Sequence, residues 1–171
     1  MKRIFSIVTA LLLLSSLPLN AQGEAGSIFL LISPGARAGG MGEAQVAIAN
    51  DAYASYWNPA GLAFQEGSEL AIMHVNWLPN LADDMYYEFL GFRKQFPTLG
   101  TLGGHLIYLN LGEQVRMDEY AQYQGKFTSY MMAAAVSYSS KLSSSSSFGL
   151  NAKISYQHLV ELGTGSEKGK G

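Results

Sequence analysis

The residues that could perform chemistry are few and scattered. His74, His105 and His158 fall on three different predicted strands, and none has a second metal ligand two or four positions away. Asp83 and Asp84 form an acidic pair, but their place between two predicted strands indicates a solvated loop. No G-x-S-x-G sequence presents a nucleophilic serine. We therefore expect no enzyme activity, no bound metal and no cofactor.

A glycine-rich run, SPGARAGGMGEA, occupies Ser33 to Ala44. It lacks the third glycine of a dinucleotide loop and the lysine of a Walker motif, so nucleotide binding is not expected. Its glycines and alanines instead suit a chain that threads a confined space. The formal net charge is −2, and the eleven basic residues are dispersed along the chain. No nucleic-acid partner is expected, because such a partner requires a basic patch.

The first residues predict export. Lys2 and Arg3 precede an apolar run from Ile4 to Leu14, and the small Ala21 precedes Gln22, which is the pattern of a cleaved secretory signal over residues 1–21. The apolar run is too short to cross a bilayer, which takes about 20 residues. The chain contains no cysteine, so disulfides and lipid attachment to a thiol are excluded.

Two later segments alternate strictly, as half-exposed strands do. Residues 128–138 and 148–157 each carry one face with aromatic residues near its ends. In the second segment, that apolar face is opposed by the polar face Gly149, Asn151, Lys153, Ser155 and Gln157. A lipid-facing barrel strand has this pattern, and so does a strand of a soluble sandwich. The alternation alone leaves both open.

Three earlier segments, residues 69–78, 85–96 and 101–111, are less regular. In the first, we expect the face with Met73 and Trp77 to meet lipid, and His74 to lie on the other face. The other two are apolar on both faces. We expect Glu88 and His105 to point inward together, which would carry Tyr86, Leu90, Phe92, Ile107 and Leu109 inward.

Three of the four predicted gaps between strands fit the short periplasmic turns and longer outer loops of a barrel, whereas the serine-rich fourth gap is long for a periplasmic turn. The longest are residues 112–126 and the serine-rich residues 139–147. Five strands cannot close a barrel in lipid, because an open sheet leaves two edges of unpaired backbone groups. The chain is therefore expected to be a fragment of a longer barrel.

Local signals predict a compact, kinked element before the strands. Asp51 is expected to cap a short helix over Ala52 to Trp57. Asn58 must leave the helical region because Pro59 follows it, and Pro59 is expected to open another turn that Gly61 closes.

These residues carry a family resemblance. ARAGGMGEA and ANDAYASYWNPAGLAF resemble the N-terminal signature of the PorV/PorQ outer-membrane proteins, which are similar in turn to FadL-type fatty acid channels. The resemblance implies an all-β fold: an antiparallel, FadL-like transmembrane β-barrel of about 14 strands with a small N-terminal plug. The chain would hold a signal peptide (1–21), the plug (22–67) and about five strands of the truncated barrel (68–171).

The same resemblance implies that the residues of interest are structural residues of the plug: Arg37, Gly40, Gly42, Asp51, Trp57, Asn58, Pro59 and Gly61. Inside a barrel Arg37 would need a carboxylate partner, for which Glu88 is a candidate. The sequence departs from the family pattern at Asn50, where an acidic residue often precedes the aspartate.

By the same resemblance, the protein would lie in the cell outer membrane, contact lipid and serve type IX secretion. Its partners would be the translocon and the C-terminal domains of exported cargo. The NPAG element at Asn58 to Gly61 is shared with the fatty acid channels, whereas Arg37 and the glycines around Met41 favour the PorV-like version. Two alternatives stay open: a passive outer-membrane channel for a hydrophobic small molecule, and a soluble periplasmic β-domain.

Overall fold

The computed structural model describes residues 26–118 and 120–159. Five strands form one antiparallel sheet in the order of the sequence, each hydrogen-bonded to the next. The strands are β1 (Ser68–Asn76), β2 (Met85–Phe96), β3 (Gly100–Met117), β4 (Tyr123–Lys141) and β5 (Ser147–His158). The predicted all-β, antiparallel fold is confirmed. The predicted signal peptide lies outside the described residues.

Two strands are longer than the sequence predicted. Residues 112–126 were expected to be a loop, but β3 continues as far as Met117 and β4 begins at Tyr123. The ladder shifts register between Asn110 and Glu113, where Gly112 has a φ of +73°. The Asp84 carboxylate accepts a hydrogen bond from the Glu113 amide at 2.6 Å. A β-bulge thus absorbs the irregular residues that broke the sequence pattern.

The register assigns each strand residue to one of two faces. One face, here called the inner face, is covered by the N-terminal segment, residues 26–67. It contains Tyr87 and Phe89 of β2 and His105, Ile107 and Leu109 of β3, all buried. The opposite, outer face is exposed, and its members include Leu70, Ile72, Leu106, Val136, Leu150 and Ile154.

Two predictions about these faces were wrong. Met73 and Trp77 pack against the buried cluster of the inner face, whereas His74 lies on the outer face. Glu88 also lies on the outer face, opposite His74 and Tyr108 in the register, and carries Tyr86, Leu90 and Phe92 with it. His105, Ile107 and Leu109 do point inward. The reason is the pairing: Gly91, not Glu88, stands opposite His105, and positions three apart on a strand face opposite ways.

The N-terminal segment contains four short helical turns. They are a 3₁₀ turn η1 (Ile28–Leu31), α1 (Ala36–Gly40), α2 (Ala54–Trp57) and a second 3₁₀ turn η2 (Pro59–Phe64). Phe29 joins Tyr87, Phe89, Ile107, Leu109 and Ala133 in the main apolar cluster, and Ala49, Ala54 and Leu62 form a second one. Among the described residues, no helix has the length and apolar character to cross a membrane.

Candidate functional site

The contact between α2 and the inner face centres on Ser55. Its side chain is fully buried, and its Oγ lies 3.1 Å from Nδ1 of His105 and 3.3 Å from the Gly104 carbonyl oxygen. Asn151 of β5 donates to the Ser55 carbonyl oxygen at 2.9 Å. A single residue of the segment therefore has polar contacts with two separate strands of the sheet.

Aromatic rings surround this centre. Tyr53 stacks on Phe89 with ring centroids 4.9 Å apart, and Phe89 stacks on His105 at 5.6 Å. Tyr56 meets His105 edge to face at 5.8 Å and donates from its hydroxyl to the Leu30 carbonyl oxygen at 2.7 Å. Burial raises the pKa of Tyr56 above its ordinary value, so the phenol stays neutral and remains a donor. Packing of these rings holds α2 against the sheet, and the Tyr56 hydrogen bond links α2 to η1.

Glycines in three strands let the segment approach the sheet backbone. A Cβ at Gly91 would stand 3.2 Å from the Ala52 carbonyl oxygen, and one at Gly103 would stand 2.9 Å from a methyl of Leu62. At Gly149 of β5 it would overlap the backbone of Pro59 and Ala60. Glycines on β2, β3 and β5 therefore leave the space in which the segment packs against the sheet; this contact surface is here called the glycine seat.

The predicted NPAG element forms the turn at this seat. Asn58 is extended (φ −158°, ψ 91°), and its Oδ1 accepts from the Ala60 amide at 3.2 Å. Its Nδ2 donates to the Val46 carbonyl oxygen at 3.1 Å. Pro59 opens η2, as expected, although η2 continues past Gly61 to Phe64. A Cβ at Gly61 would lie 2.6 Å from the Ala49 carbonyl oxygen, so this glycine permits close packing inside the segment.

Asp51 and Arg37 belong to the same network. Oδ1 of Asp51 accepts from the Tyr53 amide at 3.1 Å, which orders the turn before α2, and Oδ2 accepts from Gln45 at 3.1 Å. Arg37 donates to Asn50 at 2.7 Å and stands 3.5 Å from Asp51. The candidate pairing of Arg37 with Glu88 was wrong, because Glu88 lies on the outer face and bonds His74 at 2.8 Å. Asn50, the departure from the family pattern, is the nearer partner of Arg37.

The remaining predicted residues divide into one that joins the network and two that do not. Trp57 donates from Nε1 to the Pro34 carbonyl oxygen at 3.2 Å and so ties α2 to the start of α1. Gly40 and Gly42, by contrast, have open space among the described residues where a side chain would point. Gly42 is needed for its φ of +61°, and Gly40 ends α1 without a close neighbour in the described chain.

Sequence reasoning missed Ser55 on the segment and, on the sheet side of the contact, Gly91, Gly103, His105, Gly149 and Asn151. The signal that would have found the strand positions is a small or polar residue at the inward parity of β2, β3 and β5. Ser55 and His105 are within hydrogen-bond distance, as in a nucleophilic pair, but both are buried to about 1% exposure or less. Burial to this degree fits a contact that holds the segment in place. The described residues contain no group of three or more side chains suited to a metal ion.

The protein is thus of the all-β class: an antiparallel sheet whose own N-terminal segment is held on one face by buried polar and aromatic contacts. The family model of the type IX secretion system protein PorV matches residues 21–163. The chain therefore belongs to the PorV family, and it is associated with type IX secretion. A comparison with curated proteins found no match.

Proposed function

We propose that this chain is the beginning of an outer-membrane β-barrel that serves type IX secretion without performing chemistry itself. Residues 1–21 would be its export signal, residues 22–67 its plug, and the strands from residue 68 onward the first part of its wall. Each strand is then a membrane-spanning segment whose outer face meets lipid and whose inner face meets the plug. The unpaired edges of β1 and β5 in the described sheet would hydrogen-bond to further strands, as a barrel in lipid requires.

The observation that carries this proposal is the pattern of the outer face. A row of four tyrosines, Tyr86, Tyr108, Tyr130 and Tyr156, crosses β2 to β5 with neighbouring ring centroids 5.8 to 6.2 Å apart. Tyr138 and Phe148 form a second aromatic contact near the other ends of β4 and β5. Between these two groups the outer face carries Leu90, Leu106, Met132, Ala134, Val136, Leu150, Ala152 and Ile154. Aromatic girdles on either side of an apolar band are the mark of a barrel wall in a bilayer.

The spacing fits a membrane. Tyr130 and Tyr138 stand eight positions apart on β4, roughly 27 Å along a strand that rises about 3.4 Å per residue. A strand tilt of about 40° reduces this to roughly 20 Å along the bilayer normal, close to the apolar band of about 25 Å found in outer-membrane barrels. A soluble sandwich has no reason to place aromatic rows at this separation on an uncovered face.

The secretion role needs a surface outside the membrane, and the ends of β3 and β4 provide one. Beyond the bulge, residues 113–117 of β3 and 123–128 of β4 form a two-stranded ribbon that continues past the end of the β1–β2 pairing. Its exposed apolar side chains are Val115, Met117, Tyr120 and Tyr123. Exposed tyrosines on an ordered element suit a protein contact, since aromatic residues dominate binding energy at interfaces. We assign the ribbon to the contact with the translocon or with cargo C-terminal domains.

Copurification from solubilised outer membranes tests the role. The complete, tagged protein is expected to bring down identified secretion components, and replacing Tyr120 and Tyr123 with serine is expected to lower their yield by about tenfold. Leu142→Ser is the matched control, because Leu142 is equally exposed in the turn at the opposite end of the sheet. Wild-type protein that carries no secretion component with it would contradict the proposal.

One observation favours the second candidate, a passive channel for hydrophobic compounds. Tyr87, Phe89, Ile107 and Leu109 of the inner face form an apolar cluster beneath the segment, together with Phe29 of η1. Movement of the segment would expose this cluster to a lipophile. Reconstituted complete protein that binds or passes fatty acids would support the channel, and intact secretion without such binding would remove it.

A further inference from the structure

The apolar band of the outer face contains a groove. Leu106 of β3, Ala134 of β4 and Ile154 of β5 stand side by side in the register. Because the alanine side chain is short and its neighbours are long, the surface sinks over Ala134. The resulting cavity has a volume of about 390 Å³, and the outer-face side chains around it are Leu106, Tyr108, Met132, Ala134, Ile154 and Tyr156.

The groove opens towards the tyrosine row. Tyr108 and Tyr156 belong both to the row and to the rim of the groove. Tyr130 lies between them and stacks on His158 at 5.0 Å between ring centroids. One end of the groove is therefore bordered by Tyr108 and Tyr156, with Tyr130 and His158 next to them, whereas its floor and sides are mainly hydrocarbon. This is the polarity profile of a single-chain amphiphile lying along the strands.

The side chains of the groove argue against a protein occupant. Specific protein interfaces carry about ten hydrogen bonds and a polar rim. Here, within the described part of the chain, no charged side chain and no amide side chain lines the cavity, and polar side chains of the outer face border it only at the end marked by the tyrosines. A hydrocarbon chain needs no hydrogen bonds, and the volume lies within the range of small-molecule pockets, about 300–1,000 Å³.

We propose that this groove seats one acyl chain of a membrane lipid, with the lipid headgroup at Tyr108, Tyr130 and Tyr156. The proposal rests on the proposed position of the sheet in the outer membrane, and it adds a defined lipid site to that wall. The chain lies over Ala134 between Leu106 and Ile154, so filling the space at Ala134 removes the site. Lipid contacts elsewhere on the band are transient.

Photolabelling of the complete protein in vesicles tests this. The vesicles consist of dimyristoylphosphatidylcholine with a small fraction of the same lipid that carries a diazirine on one acyl chain, and labelled residues are mapped by mass spectrometry. Labels are expected to concentrate on Leu106, Met132 and Ile154. Ala134→Phe is expected to reduce them about tenfold, the factor that corresponds to about 1.4 kcal/mol of lost contact. Ala134→Leu, a smaller change, is expected to give an intermediate reduction.

Ala152→Phe is the matched control. Ala152 is an exposed alanine of the same outer face, on β5, and it does not line the groove. This variant is expected to leave the labelling pattern of wild-type protein unchanged. If both phenylalanine variants act alike, or if labels spread evenly along the band, the groove is not a lipid site although the wall still faces lipid. Absence of labels from the whole outer face overturns the membrane position as well. Concentration-dependent cross-links between copies through Leu106 and Ile154 would make the occupant a second copy and overturn the proposal.

Discussion

Ser55 illustrates how much one small residue controls. Its hydroxyl lies within hydrogen-bond distance of His105, and its carbonyl oxygen accepts from Asn151, so it has contacts with both β3 and β5. The other ring nitrogen of His105, Nε2, is buried without a hydrogen-bond partner among the described residues. Nδ1 is thus the atom through which this imidazole is satisfied, and Ser55 supplies that contact.

Ser55→Ala is therefore expected to lower the free energy of unfolding by about 1–3 kcal/mol, because it leaves a buried ring nitrogen without a partner. The measurement is denaturant unfolding of the complete protein in lipid vesicles. Ser144→Ala, in the exposed serine turn between β4 and β5, is the control and is expected to change stability little. Equal stability of wild type and Ser55→Ala would show that the contact with His105 contributes nothing.

The residue scale also shows what the sequence could predict. Asn58 and Pro59 were predicted correctly, because their conformation depends on adjacent residues: a proline restricts the residue before it wherever the chain folds. The Ser55–His105 pair could not be found this way. The two residues are 50 positions apart, and only the register of β3 and the docking of α2 bring them together. Arg37 was identified, but its partner was sought on a strand, at Glu88, whereas its contacts are with Asn50 and Asp51 of the segment itself.

At the scale of elements, η2 packs closely against β5 because Gly149 has no side chain. A Cβ at Gly149 would overlap the backbone of Pro59 and Ala60, and neither backbone group can rotate away as a side chain would. Gly149→Ala is expected to lift η2 from the sheet at a cost of about 1–3 kcal/mol. The measurement is limited proteolysis, with cleavage within residues 26–67 expected to become faster.

Gly39→Ala serves as the control for that substitution. Gly39 lies in α1 without a positive φ, and a Cβ added there would have no atom of the described chain within 4 Å. Alanine is therefore expected to be neutral or slightly stabilising at this position. Unchanged protease resistance in the Gly149 variant would mean that the segment tolerates a shift of η2.

The turn at the tip of the ribbon depends on one carboxylate. Hydrogen bonds from the backbone amides of Gln122 and Tyr120 to Asp118, with a further one from the Gln124 side chain, hold the pKa of that carboxyl below its usual range. A depressed folded-state pKa adds stability that is present above the unfolded-state pKa and is lost as pH falls through the folded-state pKa. We expect amide exchange at Gln122 to be slow near pH 7 and to lose its protection under acid conditions.

Asp118→Asn is expected to remove this pH dependence, because an amide side chain does not titrate. Protection of Gln122 that is the same at neutral and acid pH in wild-type protein would show that the carboxylate does not order the turn. Exchange is compared at each pH after correction for the intrinsic rate.

The elements also explain why faces were harder to predict than strands. Apolar residues occur on both sides of β1 and β2, because one side meets the segment and the other the outer surface. Periodicity alone therefore could not distinguish the Met73 face from the Ile72 face. On β5 the inner face is polar, so there the alternation separates the two faces. The bulge at Gly112 hid the continuation of β3 for a related reason, since an inserted residue breaks the period.

At the scale of the whole molecule, the proposed membrane position makes a depth-dependent prediction. Ile72 stands on the outer face in the row of Leu90, Leu106 and Ala134, and Phe148 stands near one end of the band. Arginine at Ile72 is expected to cost about 2–4 kcal/mol in vesicles, and arginine at Phe148 about 0–1 kcal/mol. In a soluble β-domain both exposed positions would tolerate arginine alike, so equal and small effects would favour that alternative.

The glycine seat has a consequence for the order of folding. In the proposed exported protein, residues 52–62 would leave the ribosome and cross the inner membrane before any strand, yet the surfaces that receive them come from β2, β3 and finally β5. The Asn151 contact with Ser55 spans 96 positions. Closing so distant a contact is slow, because chain entropy is lost before the contact forms. On the proposed export, we therefore expect the part of the chain that arrives first to pack last, and its aromatic residues to stay accessible to chaperones until β5 is in place.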